Sequence, residues 1–175
     1  MPRRLGYYRK SVRSNKRLVE LFEDNQKQRY SSTNKDWTDK KFTRRLWKEE
    51  IQTRREILAM LRKGKIRTSD DFYRAGHFFH HGMGFRSYAL GLTLFAVSHH
   101  LSELWGKNYY AVALDRFLVS IKQPQYFVTQ FKKRGEKWII SPYRKSVSDK
   151  ERKEYFVEPL EKMKKDVRKM NKKEH

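Results

Sequence analysis

The chain has 175 residues, no cysteine, 37% apolar and 14% aromatic residues, and a formal net charge of +22. Without cysteine it makes no disulfide or thiolate metal site, which fits a reducing compartment. Its longest apolar stretch, residues 88–97, is interrupted by Gly91 and Thr93 and falls short of the roughly 18 apolar residues of a membrane span.

The length suits one ordinary domain, with a core built from few, large aromatic side chains. Residues 1–14 read as a basic arm and residues 15–172 as a single helical domain. A first helix is predicted over about 15–29, with Leu18, Leu21 and Phe22 on one face. The polar stretch 30–36 reads as a loop. A longer helix follows over about 38–63, with an apolar stripe of Phe42, Leu46, Ile51, Ile57, Leu58 and Leu61 and a stop at Gly64. Its opposite face carries Lys41, Arg44, Arg45, Lys48, Arg54 and Arg55.

Thr68-Ser69-Asp70-Asp71 has the composition of a helix start, and that helix is expected to end at Gly82. The next, over about 86–105, is apolar on two faces and so is predicted to be central and buried. Asn108 is the expected cap of a helix running to about residue 121. Pro124 ends that run. Residues 125–131 and 137–141 are β-prone and flank Lys133-Arg134-Gly135-Glu136, the pattern of a hairpin. Ser148-Asp149-Lys150-Glu151 matches a capping box before a short helix. Pro159 starts a last helix with Leu160, Met163, Val167 and Met170 at helical spacing. The expected fold is mainly α: a bundle of six to seven helices with one small β-hairpin.

Charge is unevenly placed. Residues 1–19 carry seven positive and no negative charges, residues 40–67 eleven against three, and residues 132–152 eight against three, whereas residues 68–121 are balanced at four of each. Such self-repulsion destabilises a compact chain unless counter-charge is near, and phosphates supply it while releasing condensed cations. The expected partner is therefore nucleic acid, RNA ahead of DNA because no base-reading motif is recognisable, with a ribonucleoprotein such as the ribosome as the setting. The competing readings are contact with an acidic membrane or protein surface and a merely solvated basic surface. The expected contacts are Arg3, Arg4, Tyr7, Tyr8, Arg9 and Arg13 in the arm, where tyrosines among arginines suit stacking on unpaired bases. To these are added Lys41, Arg44, Arg45, Lys48, Arg54 and Arg55 of the long helix, and Lys132, Lys133 and Arg134 of the hairpin. The cytoplasm is the expected location. An organelle matrix is the alternative, because the acid-free, Arg-rich start resembles a transit peptide.

Candidate chemistry is sparse. His77 and His81 share a helix face at metal-ligand spacing, but a third ligand would have to come from elsewhere, and no metal or cofactor is expected. Arg74 and His80 resemble the Arg-x4–6-His pair of HEPN-class helical ribonucleases, whose arginine stabilises phosphate charge and whose histidine moves a proton. Asp115-Arg116 is expected to form an ion pair or to bond to the hairpin, since neither can be buried alone. On a strand, Gln125 and Thr129 would share one face and Gln130 would take the other.

The order of these pieces resembles an uncharacterised, largely bacterial family of domains of unknown function, over about residues 18–168. Its opening Asp-Gln-x-x-Arg reads here Asn25-Gln26-Lys27-Gln28-Arg29. Its helical histidine matches His81, with His80 next, and its Asp-Arg pair matches Asp115-Arg116. Its Gly-x-Pro-Gln-x-Tyr-Gly-Thr-Gln segment reads Lys122-Gln123-Pro124-Gln125-Tyr126-Phe127-Val128-Thr129-Gln130, and its tail matches Trp138, Pro142, Asp149-x-x-Arg152 and Pro159-Leu160. The family carries no activity to transfer. The resemblance implies a polar set of Gln26, Arg29, His81, Asp115, Arg116, Gln125, Thr129 and Gln130 in one central pocket. It also implies a degenerate site, since Asn25 replaces an acid and Lys122 and Val128 replace glycines. Two functions besides nucleic-acid binding stay open. One is an enzyme on a phosphorylated or nucleotide substrate, with His81 as acid/base and Arg29 or Arg116 holding charge. The other is a subunit of a larger assembly, docking through the last helix.

Overall fold

The computed structural model describes residues 13–102 and 106–173. Among the described residues the chain forms helices α1 (Lys16–Ser31), α2 (Asn34–Thr38), α3 (Lys40–Arg62), α4 (Ser69–His80), α5 (Gly84–Leu101), α6 (Lys107–Ser120), α7 (Asp149–Glu154) and α8 (Leu160–Lys173), and one antiparallel hairpin of β1 (Phe131–Arg134) and β2 (Lys137–Ile140). This is the mainly α bundle with one small hairpin that the periodicity predicts. The helix beyond the expected seven is α2, in the stretch read as a loop. There Asp36 accepts from Thr33 N and Oγ1, both at 2.7 Å, and closes a single turn. Arg3, Arg4, Tyr7, Tyr8 and Arg9 of the expected arm, and Trp105, lie outside the described residues.

The first half is built on caps. Asn15 caps α1 by accepting from Leu18 N at 3.2 Å. Thr68 and Asp71 form a capping box at the start of α4. The buried Asp71 also accepts from Asn15 N at 2.7 Å, so one carboxylate ties the beginnings of α1 and α4 together. Between α1, α3, α4 and α5 lie Leu18, Ile57, Met60, Ile66, Ala75, Phe78, Phe79 and Leu94. The expected stripe of α3 needs one correction: Ile51 is 38% exposed, and the buried position on that face belongs to Glu50.

α5 packs between α4 and α6, as its two apolar faces predict. The α4–α5 contact is close enough that a Cβ on Gly91 would sit 2.9 Å from His80 N, and one on Gly76 would sit 2.9 Å from the Phe95 ring. α6 starts not at Asn108 but from Gly106, in the left-handed region at φ 84°. The Asn108 side chain donates instead to Phe156 O at 2.8 Å.

The hairpin is shorter than expected. Residues 125–130 are not a strand: apart from an isolated bridge between Gln125 and Tyr143, they form a loop folded over α6, and pairing begins only at Phe131 opposite Ile140. Gly135, at φ 63°, makes the two-residue turn with Glu136. Ser148 and Glu151 form the predicted capping box of α7. α8 lays its apolar face inward, with Val167 buried and Met163 against the cluster of Ala111, Phe127 and Val157. Asn171 of α8 grips the backbone of Trp138 on both sides, at 2.7 and 3.0 Å. No described helix is long and apolar enough to cross a membrane.

Because the atoms facing Gly91 are backbone, they cannot yield by changing rotamer. Gly91→Ala is expected to destabilise the protein by about 1–3 kcal/mol, read from urea unfolding; an unchanged midpoint would mean that the α4–α5 contact is looser than described.

Candidate functional site

The C-terminal turn of α4 leaves its last carbonyls without i+4 partners, although Phe79 O accepts from Gly82 N at 3.1 Å. Three elements supply donors to three successive carbonyls. Arg54 of α3 donates from Nη1 to Phe78 O at 3.4 Å, Ser87 of α5 donates to Phe79 O at 2.8 Å, and Arg116 of α6 donates from Nη1 to His80 O at 2.8 Å. Arg54 also pairs with the buried Glu50 at 3.3 Å, and Arg29 of α1 pairs with the other oxygen of the same carboxylate. Three guanidinium groups thus gather at one helix end around one carboxylate. Among the described residues no carboxylate pairs with Arg116. Desolvation and then the repulsion of Arg29 weaken its hold on its proton, which Tyr88 partly offsets, yet a guanidinium stays charged at any physiological pH.

His77, His80 and His81 sit on the same turn, with ring centroids 6.3 Å apart for His77–His81 and 5.3 Å for His80–His81. His77 is caged by Phe22, Tyr73, Phe95 and Tyr109, the last with a centroid 4.3 Å away. His77 is 6% and His80 3% exposed, and His77 Nε2 and His80 Nδ1 have no hydrogen-bond partner. Burial, followed by Arg29, lowers the pKa of His77 to about 4. Burial, followed by Arg116 and the two neighbouring histidines, lowers that of His80 further. His81 keeps solvent access. Partial desolvation, followed by Arg29, Arg116, His77 and Arg54, still holds it below the ordinary histidine range. All three are neutral at pH 7, so the positive charge here belongs to the arginines. Among the described residues, no three His, Asp or Glu side chains group as a metal cradle.

The Asp115–Arg116 pair separates rather than pairing internally. Asp115 is fully buried and takes four donors: Tyr126 N at 2.6 Å and Phe127 N at 2.9 Å on one oxygen, Thr129 N at 2.8 Å and Thr129 Oγ1 at 2.9 Å on the other. Burial pushes this carboxyl up while the four donors oppose it. Since each oxygen already accepts two protons, the ionised form is the one the loop fits. The Gln125 side chain closes the same loop, accepting from Gln130 N at 2.8 Å and donating to Ser141 O at 2.8 Å. Gln130 Nε2 donates to Thr129 Oγ1 at 3.1 Å, and Arg116 Nε donates to Gln130 Oε1 at 3.4 Å. A hydrogen-bond chain therefore runs from Asp115 through Thr129 and Gln130 to Arg116 and the end of α4. Lys122 at φ 61° and Val128 at φ 71° lie in the left-handed region that glycine favours, so the backbone keeps a glycine-like path at both positions without glycine.

The expected polar set thus divides. Asp115, Gln125, Thr129 and Gln130 are joined in one network that holds the loop. Arg29, Arg116 and His81 gather at the end of α4. Gln26 is half-buried on α1 with no hydrogen bond to either group. The Arg74–His80 pair is not presented together: Arg74 pairs with Asp70 and lies over the Phe22 ring, while His80 is buried. The last helix, the docking element of the larger-assembly reading, turns Val167 and Met163 onto the hairpin and core. Glu50 and Arg54 were not singled out as inward-facing. Their signal was a carboxylate between Leu46 and Ile57 on the apolar face, with an arginine one turn on.

The outer face of α3 is an exposed basic surface. Lys40, Lys41, Arg44, Arg45 and Lys48 alone line a concavity of about 420 Å³, and a second of about 400 Å³ runs on past Thr43 to Trp47, which is 47% exposed. Among the described residues, Lys40, Lys41, Arg44 and Lys48 have no carboxylate partner, and Arg45 reaches only Glu49, at 3.8 Å. Arg55, Arg13, Lys132, Lys133 and Arg134 are also exposed. Arg54, expected on this face, instead points inward to Glu50. Comparison of the chain with protein-family models, curated proteins and solved structures found no match.

Two outcomes follow from these geometries. Asp115→Asn turns an acceptor into a donor facing three N–H groups and is expected to cost about 3 kcal/mol; a near-neutral effect would show that the loop is held elsewhere. Unfolded histidines take up a proton below about pH 6.5, whereas the buried His77 does so only near pH 4. In that interval the unfolded state binds more protons, so stability is lost as the pH drops, approaching a slope of about 1.4 kcal/mol per pH unit from His77 alone. Urea unfolding between pH 7 and 5 is expected to be shallower in pH for His77→Phe, and an equal slope would place the acid sensitivity elsewhere.

Proposed function

We propose that the protein binds RNA, as a basic subunit or companion of structured RNA or a ribonucleoprotein, and that the outer face of α3 is its principal contact. The observation that carries this reading is a concavity walled by five cations, four of them without a carboxylate partner among the described residues. Structural ion pairing would have placed acids among them, as it places Glu50 between Arg29 and Arg54 on the inner side. Trp47 beside Arg44 adds an aromatic face on which an unpaired base can stack. The 23-residue helix is about 35 Å long, enough to follow several phosphates. Lys132, Lys133 and Arg134 on the hairpin, and Arg13 at the start of the described chain, are further phosphate contacts in this reading.

Phosphate contact of this kind is read by its salt dependence. Fluorescence anisotropy with a structured RNA is expected to give an affinity that falls steeply with salt, by roughly 0.7–0.9 log units per log unit of salt for each phosphate neutralised. Combined substitution of Lys40, Lys41, Arg44 and Lys48 by alanine should flatten that slope by about two to three without changing the fold. Binding indifferent to salt, or unaltered in the variant, overturns the proposal. A duplex DNA competitor that displaces the RNA at equal concentration moves the preference to DNA.

A further inference from the structure

The inner arginines answer to a different requirement from the outer ones. Arg29, Arg54 and Arg116 meet at the end of α4 with Glu50 as their single carboxylate among the described residues, which leaves two positive charges over with all three histidines neutral. The arginine side chains are shielded, 23% exposed for Arg29 and 13% for Arg54. Charges in such places are normally paired. The negative end of the α4 dipole offsets roughly half a charge. Capping alone does not call for guanidinium groups, because Ser87 serves the neighbouring carbonyl with a neutral hydroxyl. Donors also remain: Arg54 Nε and Nη2 and Arg116 Nη2 have no partner among the described residues. His77 Nε2 and His80 Nδ1 are buried on the same turn without a hydrogen bond. His81, on the same turn, is exposed.

We propose that Arg29, Arg54, Arg116 and His81 form a binding site for a phosphate dianion, the group carried by a phosphomonoester or by the terminal phosphate of an RNA. A dianion matches the surplus of two charges. Planar guanidinium forks held by Glu50, Phe78 O, Gln130 and His80 O are preorganised to meet its oxygens. The neutral imidazole of His81 can donate one hydrogen bond without adding charge. The Asp115 loop takes part only indirectly, by holding Gln130 against Arg116.

The test uses the full chain and inorganic phosphate, compared with chloride at equal ionic strength. Phosphate is expected to raise the melting temperature in a saturable manner and to broaden its own ³¹P resonance on adding protein. Arg116→Gln, which keeps a side-chain amide for the His80 carbonyl, should weaken phosphate roughly tenfold, the size of one charge-assisted hydrogen bond. Arg44→Gln on the outer face of α3 should leave phosphate binding unchanged while weakening RNA, so this proposal and the RNA reading can fail separately. If Arg116→Gln does not fold, Arg29→Gln is the second variant, with circular dichroism as the check, and the ³¹P measurement on the unaltered protein stands by itself. Absence of saturable phosphate binding overturns the site, as does equal weakening by Arg44→Gln. Paired RNAs with a 5′-phosphate or a 5′-hydroxyl then separate the sources. A preference for the phosphate that Arg116→Gln abolishes assigns the site to an RNA end. Phosphate binding without that preference assigns it to a small phosphomonoester.

Discussion

A helix must end, and its last carbonyls must then find donors away from water. In this chain the end of α4 lies in the middle of the bundle, and three other helices meet it there. Arg54, Ser87 and Arg116 come from α3, α5 and α6 and bond to Phe78, Phe79 and His80 in succession. This one requirement fixes much else. It draws Arg54 and Arg116 inward, and Glu50 is drawn in with them. It also sets three histidines among cations and aromatic rings, where protonation is unfavourable. The glycine at position 91 follows from the same crowding, since α5 must pass within a Cβ's reach of the His80 backbone.

The second half of the chain is organised on the same principle with the sign reversed. There the unpaired groups are N–H donors of an irregular loop, and Asp115 collects three of them with a hydroxyl. Arg152, fully buried, serves the carbonyl side, donating to Val147 O at 2.8 Å and to Phe127 O at 3.4 Å. A loop whose backbone is satisfied at so many points can hold Val128 in a conformation that a β-branched residue ordinarily avoids. The side chain of Val128 is wholly buried, so its apolar contacts help offset the strain. Glycine would relieve the strain and forfeit those contacts.

What was legible in the sequence was what local chemistry decides. The helix start at Thr68, the capping box at Ser148 and the helical spacing of α8 are short-range patterns, and each has its predicted place in the fold. The two-faced apolar character of α5 also translated directly, because a helix apolar all round has nowhere to go but the centre. The misreadings are tertiary. Residues 125–130 have the composition of a strand, but Asp115 offered their N–H groups a better set of acceptors than a sheet neighbour could. Ile51 fitted an apolar stripe by type, yet Glu50 took the buried place because Arg29 and Arg54 were waiting for it. Arg54 looked like one more cation on a basic face. The partner that turns it inward is another helix's carbonyl, which no spacing along its own helix reveals.

The two groups of cations differ physically in a way that outlasts their common charge. On the outer face of α3 a phosphate meets each lysine or arginine through water, where a charge pair at 4 Å is worth about 1 kcal/mol and salt screens anything beyond about 8 Å. At the end of α4 the same pair lies in partly desolvated surroundings, where the attraction is several-fold larger and ions are largely kept out. Flexible side chains on the outer face also lose freedom when they grip, while Arg116 and Arg54 have already been fixed by the carbonyls they cap. An anion held by the outer face is therefore held loosely, by number and with little regard for its shape. One held at the inner cluster would have to fit between guanidinium planes whose positions the fold has set. The distinction comes from the ending of a single helix.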